Sequence, residues 1–216
     1  MKVAILSESA ADEAALRILT DAILGLRTEP VSLIRFELRR GWSNVVSSLP
    51  IVLKHVYYQT DGDGLVIVGD SNSSRLHVVE HNGAAGGGER CRLSQLRRVV
   101  RDTRRGLREV PGRQPFRVAV GLAYPAIEAW YLCGRDPHAT EVAWARDLDG
   151  GARAPQRIRE LKQAVYGTDR PSLALETRIA TECAQRLAGD LALLETHFPA
   201  GFGALSRDLR SWLTPA

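Results

Sequence analysis

Five side chains in this sequence are of types that hold a hard cation and sit where loops leave strands: Glu8, Asp12, Asp70, Asn72 and Glu128. Glu8 follows the apolar run KVAIL (2–6), Asp70 ends the run GLVIVG (64–69), and Glu128 lies a few residues past FRVAVGLA (116–123). Ligands of a parallel α/β sheet collect at the carboxyl ends of its strands, so the three carboxylates share one expected edge. Asp12 lies one helical turn beyond Glu8, which lets their side chains lie together. Carboxylates gathered with no lysine beside them repel unless a cation neutralises them. Magnesium or manganese, hard ions bound by oxygen, is the expected neutraliser. Asp61 and Asp63 of DGDG (61–64) precede their strand and so belong to the opposite edge.

Each acid also has an ordinary structural explanation. Ser9 and Asp12 fit a helix capping box, and Glu8 suits the positive end of that helix. Asp70 and Asn72 are turn formers, and Glu128 fits an exposed helix position beside a core Trp130. None of these explanations requires carboxylates after successive strands.

The elements that must position these residues alternate. Strands are expected at 2–6, 31–38, 64–69 and 116–123. Helices are expected at 9–24, at 42–59 with a break or kink near Pro50, at 92–108 and through AIEAWYLC (126–133). This pattern predicts an α/β core over 1–135, a mostly parallel four-stranded sheet with helices on both faces. Residues 136–216 read as a helical extension packed on that core, with helices through PQRIRELKQAVYG (155–167), 172–198 and FGALSRDLRSWL (202–213). Leu175, Ile179, Cys183, Leu187, Leu191 and Leu194 form the expected apolar stripe of 172–198.

The order of the acids resembles the Toprim family of metal-dependent nucleic-acid enzymes, over roughly residues 1–135. It is most similar to nucleases of the overcoming-lysogenization-defect (OLD) type and to a related group of small uncharacterised bacterial Toprim-like proteins. Glu8-Ser-Ala-Ala-Asp12 resembles the first motif, Asp70-Ser-Asn72 the Asp-x-Asp pair, and IEAW (127–130) the segment carrying the third-motif Glu. Two positions depart from the pattern: Ser9 stands where the family usually has Gly, and Asn72 replaces the second Asp. The resemblance implies a Mg2+- or Mn2+-dependent nuclease with Glu8, Asp70 and Glu128 as catalytic residues and Glu8, Asp12, Asp70, Asn72 and Glu128 as metal ligands. It also implies work beside a separate ATPase protein, in phage defence or as a toxin.

Composition narrows the other classes. The 216 residues carry 44% apolar and 25% charged side chains, enough for a core and against disorder. The start MKVAILSESA is too poor in apolar residues for a signal peptide, and no run reaches the roughly 18 apolar residues of a membrane span. Cys91, Cys133 and Cys183 lack any CxxC pattern and read as reduced thiols of a cytoplasmic chain, with no zinc site. Residues 90–117 hold ten arginines against Asp102 and Glu109. In the helix over 92–108 an apolar stripe leaves Arg97, Arg98, Arg101, Arg104, Arg105 and Arg108 on the remaining surface. That face fits a nucleic-acid backbone or, equally, a solvated face or an acidic partner. The five histidines show no pairing with each other or with Cys at metal-ligand spacing, and His77 and His81 are expected at the surface.

Two other functions compete with the nuclease. GDS (69–71) resembles the nucleophile block of GDSL-type esterases, with Ser71 as nucleophile, but LETHFP around His197 lacks the Asp that family requires. Ser9 and Asn72 favour a Toprim-like module that binds nucleic acid or protein without catalysis.

Overall fold

The computed structural model describes residues 1–33, 41–78, 81, 91–149 and 153–214. Four strands, β1 (Lys2–Leu6), β2 (Glu29–Pro30), β3 (Gly64–Asp70) and β4 (Arg117–Ala123), pair in the order β2-β1-β3-β4, all parallel. The register sets Leu6 against Ile67 and Asp70 against Ala123, which brings the carboxyl ends of β3 and β4 level.

The second strand differs from the expected 31–38. Pairing with β1 spans only Glu29 and Pro30, although the Val31 N–H still donates to Val3 O at 3.2 Å. Pro30 offers no N–H, which a sheet tolerates only at an edge. Residues 34–38 of the expected strand lie outside the described residues.

Alternation along the strands divides the interior. Val3, Ile5, Val66 and Val68 pack with α1 (Ala10–Leu24) and the C-terminal helices, while Ala4, Leu6, Leu65 and Ile67 pack with α2 (Trp42–Gln59) and α3 (Arg92–Arg105). Strands covered on both faces read as continuous apolar runs, and β3 does. Helix α2 passes through Pro50 unbroken. Val45, Leu49, Val52, Leu53 and Val56 bury its inner face on both sides of the proline, and this packing offsets the missing backbone bond.

Beyond β4 come α4 (Ile127–Tyr131), α5 (Glu141–Asp149), α6 (Ala154–Tyr166), α7 (Leu173–Ala188), α8 (Leu191–His197) and α9 (Phe202–Arg210), with a 3-10 turn over Ser211–Leu213. Helix α5 is an addition to the expected set. The single helix expected over 172–198 is two, because Gly189 closes α7 and the Asp190 side chain caps α8 by accepting from Leu193 N at 3.1 Å. The buried line of α7 runs through Glu176, Ala180, Cys183, Ala184 and Leu187, so Leu175 and Ile179 are only partly covered. Leu161, Ala180, Leu187, Phe202 and Leu205 share one apolar cluster with Val3, Val66 and Ala119, so sheet and helical extension have a common core.

The extension also finishes the sheet. Asp208 Oδ2 of α9 accepts from Val120 N at 3.0 Å on the free side of β4. Gly201, just before α9, lies so close to the strand that a Cβ there would collide with Leu122 O. No other residue fits at that approach. Among the described residues no helix is long and apolar enough to cross a membrane.

Candidate active site

The carboxyl edge of the sheet opens into a cleft of about 230 Å3 lined by Glu8, Asp12, Asp70, Glu128, Lys162 and Glu176, with Tyr166 and Ser9 among its other walls. Four of the five residues singled out by sequence therefore meet. Local structure explains how each arrives. Ser9, in extended conformation, caps α1 by accepting from Asp12 N at 3.2 Å, which starts the helix directly after Glu8 and puts Asp12 on its first turn. The capping role expected of Ser9 is thus present alongside the acidic cluster. Glu8 Oε1 accepts from Asp70 N at 2.9 Å, and Asp70 Oδ1 accepts from Ile127 N at 3.0 Å. These two bonds tie the ends of β1 and β3 and the start of α4 into one corner. Arg186 of α7 donates to the carbonyls of Tyr131 and Cys133 at 2.7 and 2.9 Å, which holds the far end of the short helix that carries Glu128.

Glu128 is 4% exposed rather than a surface helix residue, and Trp130 beside it is fully buried. Asn72 does not line the cleft. It adopts the left-handed φ of 49°, which asparagine tolerates, and its N–H donates to Pro125 O at 2.8 Å. Ser71 is wholly buried, with its hydroxyl donating to Pro125 O at 3.4 Å. A nucleophile must meet its substrate, and this hydroxyl does not reach solvent. Asp61 and Asp63 lie at the opposite edge, where Asp61 pairs with Lys2 and Asp63 Oδ2 accepts from Lys2 N at 2.7 Å.

Sequence reasoning missed the cleft's cations and one of its acids. Lys162 of α6 stands 3.6 Å from Glu128 and 3.7 Å from Glu176. The expectation of carboxylates without a neighbouring lysine is thereby overturned: α6 is remote in sequence, and nothing local to the acids announces it. Arg92, at the start of α3, donates to Asp70 O at 2.6 Å and lies over the Trp42 ring at 4.5 Å. Glu176 was detectable as a charged residue inside a helical run whose neighbours are small, Ala180 and Ala184.

Negative charge still exceeds positive. Among the described residues five carboxylates face two cations, and burial pushes Glu8, Asp12, Asp70 and Glu128 toward their protonated forms. Burial raises Asp12 to about 7, with Glu128, Glu8 and Glu176 adding repulsion and Ser9 opposing. Asp70 is raised well above the usual range by burial and then by Glu8, Glu128 and Asp12. Glu8 and Glu128 rise for the same first reason, opposed in Glu8 by the Asp70 N–H and in Glu128 by Lys162.

The arginine helix has a different geometry. Arg97, Arg101, Arg104 and Arg105 line a shallow groove of about 480 Å3 with Asp208 and Val118. Arg97 stands 3.8 Å from Asp208, and Arg101 and Arg105 lie at 3.6 and 3.8 Å from Asp102. Arg98 and Arg108 are exposed. Helix α3 begins at the acidic edge, but Arg104 donates to Phe116 O, just before β4 starts, at 3.2 Å. Along its fourteen residues the arginines from Arg97 to Arg105 are carried about 8 to 20 Å along the sheet, away from the cleft.

The histidines also depart from expectation. His77 is half-buried, with Nδ1 at 3.3 Å from Cys91 Sγ, and His81 lies beside it. The chain matches no protein-family model, no curated protein and no solved structure.

Proposed function

We propose that the cleft holds Mg2+ or Mn2+ and that the protein is a metal-dependent nuclease. One observation carries this reading: Glu8, Asp12, Asp70, Glu128 and Glu176, from distant stretches of chain, are held half-buried or deeper around one cleft where, among the described residues, Lys162 and Arg92 offset them. Such a cluster costs stability unless it serves a ligand of opposite charge. The donor set is carboxylate oxygen throughout, which fits a hard cation. Glu8 and Asp70 would hold it, with Asp12 and Glu128 beside them. When bound, such an ion makes a water acidic enough to attack phosphorus and stabilises the leaving oxygen. Lys162 keeps Glu128 and Glu176 oriented, and Arg92 braces the backbone of Asp70. The exposed guanidiniums of α3 offer contacts for a nucleic-acid backbone leading away from the cleft.

The resemblance of Glu8-Ser-Ala-Ala-Asp12, Asp70 and IEAW to Toprim enzymes supports the same reading. It extends it to a cytoplasmic role beside a separate ATPase protein in phage defence. Nicking of supercoiled plasmid tests the core of the proposal: cleavage should need Mg2+ or Mn2+ and vanish in both Glu8→Ala and Asp70→Ala. Undiminished cleavage in both variants removes it.

A second reading, binding without catalysis, draws on Asn72 not lining the cleft and on Lys162 already supplying part of the neutralising charge. Calorimetric titration that finds no Mg2+ binding at millimolar concentration would favour it.

A further inference from the structure

Outside the acidic cleft, a group of soft donors is already gathered among the described residues. His77 and His81 follow β3, and Cys91 is the residue before α3. One ligand atom from each of these three residues falls within 4.8 Å of the others. His77 Nδ1 and Cys91 Sγ are 3.3 Å apart, and the two imidazole rings stand steeply inclined to one another with centroids at 5.9 Å. A tetrahedral zinc with bonds of about 2.3 Å to sulfur and 2.0 Å to nitrogen separates its ligand atoms by roughly 3.3–3.6 Å. The His77–Cys91 pair is at that separation now, and His81, only half-buried, closes the remainder by a small side-chain movement.

The surroundings favour a metal over a chance meeting of side chains. The His77 backbone is fixed by the Tyr124 hydroxyl, which accepts from His77 N at 3.0 Å, and Ser94 Oγ lies 3.4 Å from His77 Nδ1. The first contact fixes the backbone that carries the imidazole, and the second puts a hydroxyl beside the nitrogen that would bind the metal. Arg97 and Arg207 put positive charge near His77, so a cation is admitted only with an anionic ligand. Cys91 supplies one, giving up its thiol proton to solvent as the sulfur–metal bond forms. Two imidazoles and a thiolate suit zinc and reject magnesium, the reverse of the all-oxygen cleft.

We propose that His77, His81 and Cys91 form a zinc site, with the fourth position taken by water or an exogenous ligand, that ties the residues downstream of Asp70 to the start of α3. Arg92 is the next residue after Cys91, and its N–H also donates to Ser74 Oγ at 3.0 Å. The metal would therefore hold in register the arginine that braces Asp70.

The test uses the full-length chain without a histidine tag. After removal of loosely held metal by dialysis, mass spectrometry should count about one zinc per chain. Titration of the stripped protein with Co2+ should give the intense visible bands of a tetrahedral site together with a thiolate charge-transfer band. Cys91→Ser should abolish the charge-transfer band, and His81→Ala should cut retained zinc at least about tenfold. His81 is the less buried of the two positions, so its variant remains informative where Cys91→Ser fails to fold. Asp70→Asn should keep its zinc. Absence of stoichiometric zinc, or zinc that survives His81→Ala but disappears with Asp70→Asn, overturns the site.

Discussion

The acidic cleft and the arginine face of α3 are both charged regions of this molecule, and they are built in opposite ways. The acids come from the ends of β1 and β3 and from α1, α4 and α7, and folding alone assembles them. The arginines come from one helix, remain mostly exposed, and would be neighbours even in an isolated peptide. Burial makes the first group expensive, whereas solvent screens the second at almost no cost. The costly arrangement is the one that calls for a function. The cheap one is compatible with a function without demanding it.

Perturbing the cleft should give the largest effect. Asp70→Asn keeps an oxygen to accept from Ile127 N while removing a charge that Glu8, Glu128 and Asp12 oppose. Cleavage should fall at least about a thousandfold, while the metal-free protein gains up to about 2 kcal/mol in chemical denaturation. If activity survives and the metal-free protein gains nothing, the cleft is reduced to a structural feature.

Protonation gives the next effect. Burial raises Asp12 from 3.8 and Glu141 from 4.5, each to about 7, so between those limits the folded chain binds more protons than the unfolded one. Stability in chelator should therefore be greatest near the ordinary carboxylate range and fall as pH rises toward 7, with Glu141 alone contributing about 3 kcal/mol. Melting curves across that range should show the decline, Mg2+ should flatten it, and Glu141→Gln should shrink it. A rise in stability with pH would contradict the burial argument.

Lys162→Met comes third. It strips Glu128 and Glu176 of their partner and should cost about 2–3 kcal/mol without metal, below the full penalty for a buried pair because the lysine side chain is 31% exposed. Mg2+ should restore much of that stability and bind more tightly than in the parent. Smallest of all, Arg101→Ala with Arg105→Ala should leave stability within about 0.5 kcal/mol. Nucleic-acid binding should weaken, and its salt dependence should drop by about one unit of slope for each phosphate that the variant no longer reaches. Unchanged salt dependence would return the helix face to simple solvation.

What the sequence disclosed follows the same division. β1, β3 and β4, each an unbroken apolar run covered on both faces, are readable from local pattern, and so is the meeting of Glu8, Asp12, Asp70 and Glu128 at one edge. Failures come where one local signal meets a non-local cause. Pro50 signals a break or a kink, and the break is prevented by packing on both sides of the proline. The apolar stripe expected for 172–198 holds at Cys183, Leu187 and Leu194 but is one residue out of phase at Leu175 and Ile179, because Ala180 and Ala184 weigh little in hydrophobic periodicity yet allow α7 to lie close against α1. Glu176 therefore takes the inner position that counting leucines gives to Leu175. Lys162 and the proximity of His77, His81 and Cys91 depend on how remote segments cross, which no spacing rule captures.

The packing of α9 on β4 bears on how copies of this chain can meet. An outermost strand with bare amide and carbonyl groups invites pairing with another copy. Here a carboxylate from Asp208 occupies one amide of that strand, and the backbone at Gly201 crowds Leu122 O so closely that an incoming strand has no room. A chain shortened before Pro199 would uncover a template for aggregation, even with every acid of the cleft still in place.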